Sequence, residues 1–399
     1  MLIAHVSDSH LGYRQYGLLE REKDLYSCFE EAIGKALEDH VDVVVHSGDL
    51  FHYPSPPPQA YRSAIRALKK LKHRGIPFLC VMGQHDRPKV QALPPLTVLE
   101  DMDLLIHISP DKPYVSGDFS AVGLDYMKKQ TIKEKLQKVK ALTKRSVLVA
   151  HVLVKEVSPF GDVSIHELPR GFSYYALGDY HIFKKFKVHE FMATYSGSTE
   201  VISLNDVTSE GKGFCIVDLS RDDVEVHFVK LEGVRPRLIE HVEFEKVKEE
   251  VSKIISRALA MNIKPIIHLF VKNVGAKRSE LSKIREELLK VSLKTEITVE
   301  EEVAQLVSST RTSFSGVEDA IKSLGLNIGN LVLEIYRAFK SGDLHNELER
   351  VLKSGEWINW TEQTKIEVQP IKPLGPADMM RKTKSTTLLG WMKRDSREA

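Results

Sequence analysis

From Leu2 to about residue 230 the chain alternates short aliphatic and β-branched runs with longer amphipathic stretches. Apolar runs bounded by Gly, Asp or Pro read as buried strands. They are Leu2–Val6, Val41–His46, Phe78–Val81, Leu104–His107, Ser120–Leu124, Ser146–Ala150, Tyr174–Leu177, Phe191–Ser196, Phe214–Leu219 and Val224–Val229. Helical spacing of apolar residues predicts helices over Glu20–Glu38, Gln59–Lys72 and Thr131–Leu142. This order predicts an α/β layered fold with buried sheets. Gly233-Val-Arg-Pro236 punctuates its end.

A second pattern, from Arg237 to Glu301, reads strand (Leu238–Phe244), helix (Glu245–Ala260), strand (Pro265–Val271), helix (Ser279–Leu289), strand (Thr295–Val299). At about 65 residues it is a small α/β cap rather than an independent enzyme. A polar stretch from Ser308 to Gly316 reads as a linker. Beyond it, Ile328, Leu331, Val332, Ile335, Tyr336 and Phe339 fall on one helical face, and Leu344, Leu348, Val351 and Leu352 follow after Gly342 and Asp343. Such a hairpin has too little core to stand alone, so its stripe needs a partner surface. The tail, with Pro370, Pro373 and Pro376, reads as extended.

Composition narrows the class. Lys+Arg number 57 against 55 Asp+Glu, a formal net charge of +2, so nucleic acid would have to bind at local patches. The three cysteines are too few and too scattered for a disulfide framework, which points to a reducing cytosol. No apolar run approaches the roughly 20 residues that span a bilayer. A cytoplasmic protein with no membrane partner is expected.

The chemistry sits just after the strand-like runs. Asp8-Ser-His10, Gly48-Asp49, Gly83-Gln84-His85-Asp86, His151 and Gly178-Asp179-Tyr-His181 each follow one. Groups at the carboxyl ends of strands converge on one crevice. Together they offer carboxylate, imidazole and amide oxygen without thiolate, which suits hard or borderline ions such as Mn²⁺ over a structural Zn²⁺. One such element alone is a common turn or a packed histidine; five in the same position relative to their strands are not coincidence.

The series Asp-x-His, Gly-Asp, Gly-Gln-His-Asp, His, Gly-Asp-x-His resembles the calcineurin-like metallophosphoesterase superfamily. Within it, HVSDSHLGY, HSGDLFH, GQHD, AHVLV and ALGDYH look most like the archaeal Mre-eleven family of double-strand-break repair nucleases. The resemblance implies a four-layer metallophosphoesterase β-sandwich flanked by helices (residues 1–233), an α/β cap (236–304), and a C-terminal helical hairpin (317–353) binding a Rad-fifty-type ATPase. An extended tail (354–399) completes the chain. By matched position it implies Asp8, His10, Asp49 and His181 at one metal, and Asp49, Gln84, His151 and Asp179 at a second. The metals are two Mn²⁺, with Mg²⁺ as the other candidate. His85 steadies or protonates the leaving oxygen, as its place in GQHD suggests. Gln84 and Asp179 depart from the usual Asn and His: Gln is one methylene longer, and Asp179 adds a negative charge. The implied activity is 3′-to-5′ exonuclease and single-strand endonuclease action on DNA ends, by a homodimer, nucleoid-associated in the cytoplasm. The competing functions are a phosphoesterase acting on small diesters or phosphoproteins, and a catalytically impaired repair scaffold.

Arg14, His52, Arg87, Lys89, Lys184 and Lys185, with Tyr53 and Lys187, lie beside the metal motifs and are candidates for DNA contact. For any one of the charged residues a solvated face explains the position equally well. Leu96, Leu99, Met102, Leu104 and Leu105 suit either a two-fold contact or the core. In the hairpin, Leu331, Ile335, Tyr336, Phe339, Leu348 and Leu352 are the expected partner contacts. In the tail, Leu388, Trp391 and Met392, after Ser385, resemble a sliding-clamp-binding peptide; packing of Trp391 on the hairpin or the ATPase is the alternative.

Overall fold

Strands whose alternate residues are all apolar can bury both faces, and that is what organises this chain. The computed structural model describes residues 1–88, 92–220, 223–272, 278–300 and 333. The first half runs β1 (Leu2–Val6), α1 (Leu19–Glu38), β2 (Val43–His46), α2 (Pro58–His73), β3 (Phe78–Cys80), α3 (Pro95–Asp101), β4 (Ile106–His107), β5 (Tyr114–Ser116) and β6 (Phe119–Leu124). It continues through α4 (Lys129–Leu136), β7 (Arg145–His151), β8 (Tyr174–Gly178), β9 (Lys184–Val188), β10 (Phe191–Tyr195), β11 (Gly213–Asp218) and β12 (Glu225–Lys230). Two six-stranded sheets result, ordered β12-β11-β1-β2-β3-β4 and β5-β6-β7-β8-β10-β9.

The register of side chains makes four layers. Ile3, Val43, Val45 and Leu79 of the first sheet pack against Phe119, Val147, Val149 and Tyr174 of the second. The intervening residues turn outward: Ala4, Val6 and Val44 meet Phe29, Ile33, Ala64 and Leu68 of α1 and α2. On the other side Leu148, Ala150 and Leu177 meet Ile132 and Leu136 of α4. The order is therefore helix, sheet, sheet, helix, the sandwich expected from the sequence.

A third, parallel sheet follows: β13 (Arg237–Glu243), α5 (Val247–Leu259), β14 (Ile266–Lys272), α6 (Arg278–Val291) and β15 (Lys294–Glu300), ordered β13-β14-β15. Its core is its own, with Val251, Ile254 and Leu288 against Leu238, Leu269 and Val271. It is tied to α1 through charge. Arg21 and Glu200, both 0% exposed, pair at 3.2 Å. Asp24 accepts from Arg21 at 2.6 Å and from Arg235 at 2.5 Å, and Arg237 reaches Gln15 at 2.9 Å. Met1–Glu300 form one compact unit; a second, Glu301–Ala399, is described only at Leu333, a buried helical position. The expected hairpin and tail residues, from Leu331 to Met392, lie outside the described residues, and so does Lys89.

Three local expectations differ. Lys184–Val188 is a strand, its lysines exposed on the edge position of the second sheet beside β10. The helix expected over Thr131–Leu142 ends at Leu136. Pro95–Asp101 is a helix started by Pro95, and its Leu96 and Leu99, with Leu104 and Leu105, are spent in the core. Only Met102 of that group, 40% exposed, remains at the surface.

Candidate metal centre

Five loops meet where β1, β2, β3, β7 and β8 end, and main-chain bonds lock them together. His10 N donates to Asp49 O at 3.0 Å, Leu11 N to Leu50 O at 2.9 Å, and His52 N to Leu11 O at 3.0 Å. Asp86, fully buried, binds the amides of Phe51 (2.8 Å), Gly83 (3.0 Å) and Leu50 (3.2 Å), joining the loop after β3 to the loop after β2. The close approach dictates two glycines. A Cβ on Gly48, at φ +99, would stand 2.4 Å from His151 Nδ1, and one on Gly83 would stand 2.0 Å from Asp49 Oδ1. Asp8 (φ 50), His10 (φ 46), Asp49 (φ 55) and Asp179 (φ 88) all adopt left-handed backbone. Such conformations cost about 1–3 kcal/mol each and persist where the surroundings enforce them, typically at functional sites.

Six of the seven predicted ligands, all but Gln84, converge. Asp8, His10 and His181 form one group of donors and Asp8, Asp49 and His151 another, the atoms of each group within 4.8 Å of one another. Asp49 Oδ2 lies between them, 3.8 Å from His10 Nε2 and 3.5 Å from His151 Nε2. His10 Nε2 and His181 Nε2 are 3.2 Å apart, and Asp179 Oδ1 is 3.7 Å from His151 Nε2. Donors about 2.1 Å from a common ion stand roughly 3–4 Å from each other, so these separations fit cations.

Hydrogen bonding settles which nitrogens carry protons. His151 Nδ1 faces the Ser47 carbonyl at 2.8 Å, His181 Nδ1 faces Asp206 Oδ2 at 3.1 Å, and His85 Nδ1 faces the His52 carbonyl at 3.0 Å. Each partner accepts only, so each Nδ1 donates, and in the neutral ring each Nε2 is left as a lone pair. His10 Nδ1 pairs with His52 Nδ1 at 3.1 Å. Two atoms here are buried with no hydrogen-bond partner among the described residues: Asp49 Oδ2 and His151 Nε2. A carboxylate oxygen and an imidazole lone pair, both acceptors, face each other across 3.5 Å of dry protein. A positive charge between them, a proton or a metal cation, satisfies both.

Electrostatics says the same. Burial, then the neighbouring Asp86 and Asp8 carboxylates, push Asp49 up, although His151 opposes this. Burial lowers His151, but Asp49, Asp179 and Asp8 outweigh it and raise the imidazole. Burial also raises Asp179. The pocket carries more negative charge than its dry walls tolerate, a demand that divalent cations meet.

A model of the calcineurin-like phosphoesterase family matches residues 1–183. The DNA double-strand break repair protein Mre11 of Sulfurisphaera tokodaii is 35% identical over 299 residues, covering 72% of this chain and 77% of that protein. The Mre11 of Saccharolobus solfataricus is 30% identical over 376 residues, covering 88% and 98%. The chain belongs to the Mre11 family of DNA double-strand break repair proteins. Membership brings the hydrolase class, a phosphodiesterase of the nuclease type built on a metallophosphoesterase domain. The Mre11 of Methanocaldococcus jannaschii is similarly related, 30% identical over 371 residues.

In this Mre11-family chain the remaining predicted residues sort by geometry. His85 stacks on His52, ring centroids 4.6 Å apart, and stands edge-on to His10 at 5.0 Å. His52 thus belongs to the centre itself, with Tyr13 on its other side at 4.0 Å. Gln84 is exposed; with Arg87, Tyr126, Lys128 and Lys135 it lines a groove of about 890 Å³ that reaches α4. Arg14 is committed to Glu22 at 2.7 Å, whereas Lys184 and Lys185 project from β9 into solvent. The sequence reading missed Asp206, Lys212 and the Ser47 carbonyl, and it named Asp86 only as part of its motif, without the three amides it binds. Asp206 and Lys212 carry no motif signal, because each acts through a neighbour rather than at the end of a strand.

Proposed function

We propose that the protein is a Mn²⁺-dependent DNA nuclease, a 3′-to-5′ exonuclease and single-strand endonuclease that processes ends in double-strand-break repair. The observation that carries the two-cation reading is the orphaned pair Asp49 Oδ2 and His151 Nε2, with His10 and His181 on the far side of the same carboxylate. Asp8, His10, Asp49 and His181 would hold one ion; Asp49, His151, Asp179 and Gln84 would hold the other. When bound, such ions activate water and neutralise the charge that protects a phosphodiester from attack. The protein's own part is to fix donors and handle a proton. With Nδ1–H spent on the His52 carbonyl, His85 Nε2 is the free ring atom, which would first accept a proton from solvent and then pass it to a departing alkoxide. The stack on His52 holds that ring in place.

The proposal extends to partners. A Rad-fifty-type ATPase docks on the 317–353 hairpin, a second copy of this chain completes a homodimer, and the Leu388–Met392 peptide takes a sliding clamp. Residues 1–233 act as the nuclease domain and 236–304 as its cap. Among the described residues no helix is long and apolar enough to cross a membrane; nucleoid association in the cytoplasm is part of the proposal.

Digestion of labelled oligonucleotides with Mn²⁺ tests the reading. The wild type degrades them, while Asp49→Asn and His85→Ala do not. Intact DNA alongside rapid turnover of a small phosphodiester would reassign the substrate, and inactivity on both would leave a scaffold. Deleting residues 317–353 abolishes ATPase capture in a pull-down while sparing cleavage of short substrates; a truncated protein that still captures the ATPase refutes the hairpin assignment.

A further inference from the structure

His181 is gripped from two sides by residues outside its own motif. Its Nδ1 donates to Asp206 Oδ2 at 3.1 Å, and the same oxygen takes the Ser203 amide at 2.8 Å. That second bond closes the cap of a single 3-10 turn, Leu204–Asp206, so the carboxylate cannot drift without opening the turn. On the other side the His181 carbonyl accepts from Lys212 Nζ at 2.6 Å, and also from Ser198 N at 3.0 Å and Ser198 Oγ at 3.4 Å.

The lysine is the telling part. A carbonyl already served by an amide needs no ammonium, and Lys212 is only 2% exposed, an unfavourable place for a charge. The arrangement makes sense where the position of that one peptide matters. Here it does: the peptide carries the imidazole whose Nε2 stands 3.2 Å from His10 Nε2. A metal-ligating histidine gains both its tautomer and its aim from the acceptor behind it.

We propose that Asp206 and Lys212 are positioning residues of the first cation site, holding His181 by ring and by backbone so that its Nε2 stays trained on the ion. The proposal rests on the two-cation reading above. Neither residue touches substrate; both act through His181.

Mn²⁺ binding to the full-length protein, read by electron paramagnetic resonance of the free ion, tests this without any turnover. The wild type binds two ions. Asp206→Asn, which keeps the size and an acceptor oxygen but loses the charge, weakens one site by about 10- to 100-fold and leaves the other unchanged. Lys212→Met weakens the same site, and Lys212→Arg, which keeps a donor, recovers it in part. In a His181→Ala background Asp206→Asn changes affinity by less than about twofold, because the residue it works through is gone. That last comparison separates positioning from general damage to the fold, and the metal-free melting temperature of each variant confirms that it is folded. Should Lys212→Met not fold, the Asp206 comparisons decide alone. The proposal is overturned if Asp206→Asn binds both ions like the wild type, weakens both equally, or acts with undiminished size in the His181→Ala background. A wild type that binds no Mn²⁺ overturns the cation reading, and the clamp with it.

Discussion

Asp49→Asn should stabilise the metal-free protein while destroying its response to metal. Asp49 Oδ2 and His151 Nε2 are buried acceptors 3.5 Å apart with no donor between them. Leaving a buried polar atom unsatisfied costs about 1–3 kcal/mol. An asparagine amide keeps Oδ1 on the His85 amide (2.8 Å in the native chain) and places an N–H₂ donor opposite His151 Nε2. One substitution therefore answers both orphans and removes a buried negative charge. A gain of about 2 kcal/mol is expected, which at roughly 2–4 °C per kcal/mol for a unit of this size raises the metal-free melting temperature by about 4–8 °C. In the wild type, Mn²⁺ at a hundred times its dissociation constant adds about 2.7 kcal/mol per site. The variant loses most of that increment, since the missing carboxylate serves both ions. Differential scanning calorimetry in EDTA and in Mn²⁺ gives all four numbers. If Asp49→Asn melts below the wild type in EDTA, the orphan pair is not a strained site waiting for charge. If it keeps the full Mn²⁺ shift, Asp49 does not hold the ions.

Three further outcomes follow from particular contacts. Gly83→Ala places a Cβ 2.0 Å from Asp49 Oδ1 and 2.4 Å from Asp49 N, so cleavage should drop by two orders of magnitude or more, consistent with the sensitivity of reacting groups to displacements of about 1 Å; activity within a few-fold of wild type on an oligonucleotide would mean that the two loops have room to part. Arg21→Met leaves buried Glu200 with its backbone donors but without the guanidinium that neutralises it, and urea unfolding should register a loss of about 3–5 kcal/mol; a change under 1 kcal/mol would show the junction network to be dispensable. Burial drives His5 and His46 down to about 3. Because the folded state refuses a proton that the unfolded chain accepts below about 6.5, each group's contribution is whole above that pH and is lost as pH falls toward 3, at about 1.4 kcal/mol per unit. His5→Gln should remove one proton's worth of that slope from acid denaturation curves, and an unchanged slope would mean that His5 is already charged in the fold.

The strands that carry ligands were readable because two physical demands coincide in them: both faces are buried, giving Leu2–Val6 or Ser146–Ala150 a mostly apolar run, and the chemistry must begin where the run ends. Asp8, Asp49 and His151 could be named for that reason alone. What escaped was structure without an apolar signature. Lys184–Val188 hides a strand because an edge position favours lysines, which mask the alternation of Phe186 and Val188. The apolar spacing of Leu136, Val139 and Leu142 continues past the end of α4, where the chain instead turns so that Ser146 Oγ receives the amides of Leu142 and Thr143, each at 3.0 Å. Asp206 lies 25 positions beyond His181 in a short capped turn, and Lys212 reads as one more surface cation. Their importance lies in what they hold, which no spacing along the chain encodes.

The most direct measurement is anomalous diffraction at the manganese edge from crystals soaked in Mn²⁺. The account predicts two peaks flanking Asp49 Oδ2, one against Asp8, His10 and His181, the other against His151 and Asp179. A map with no peak there, or with a single ion that Asp49 does not touch, would contradict it.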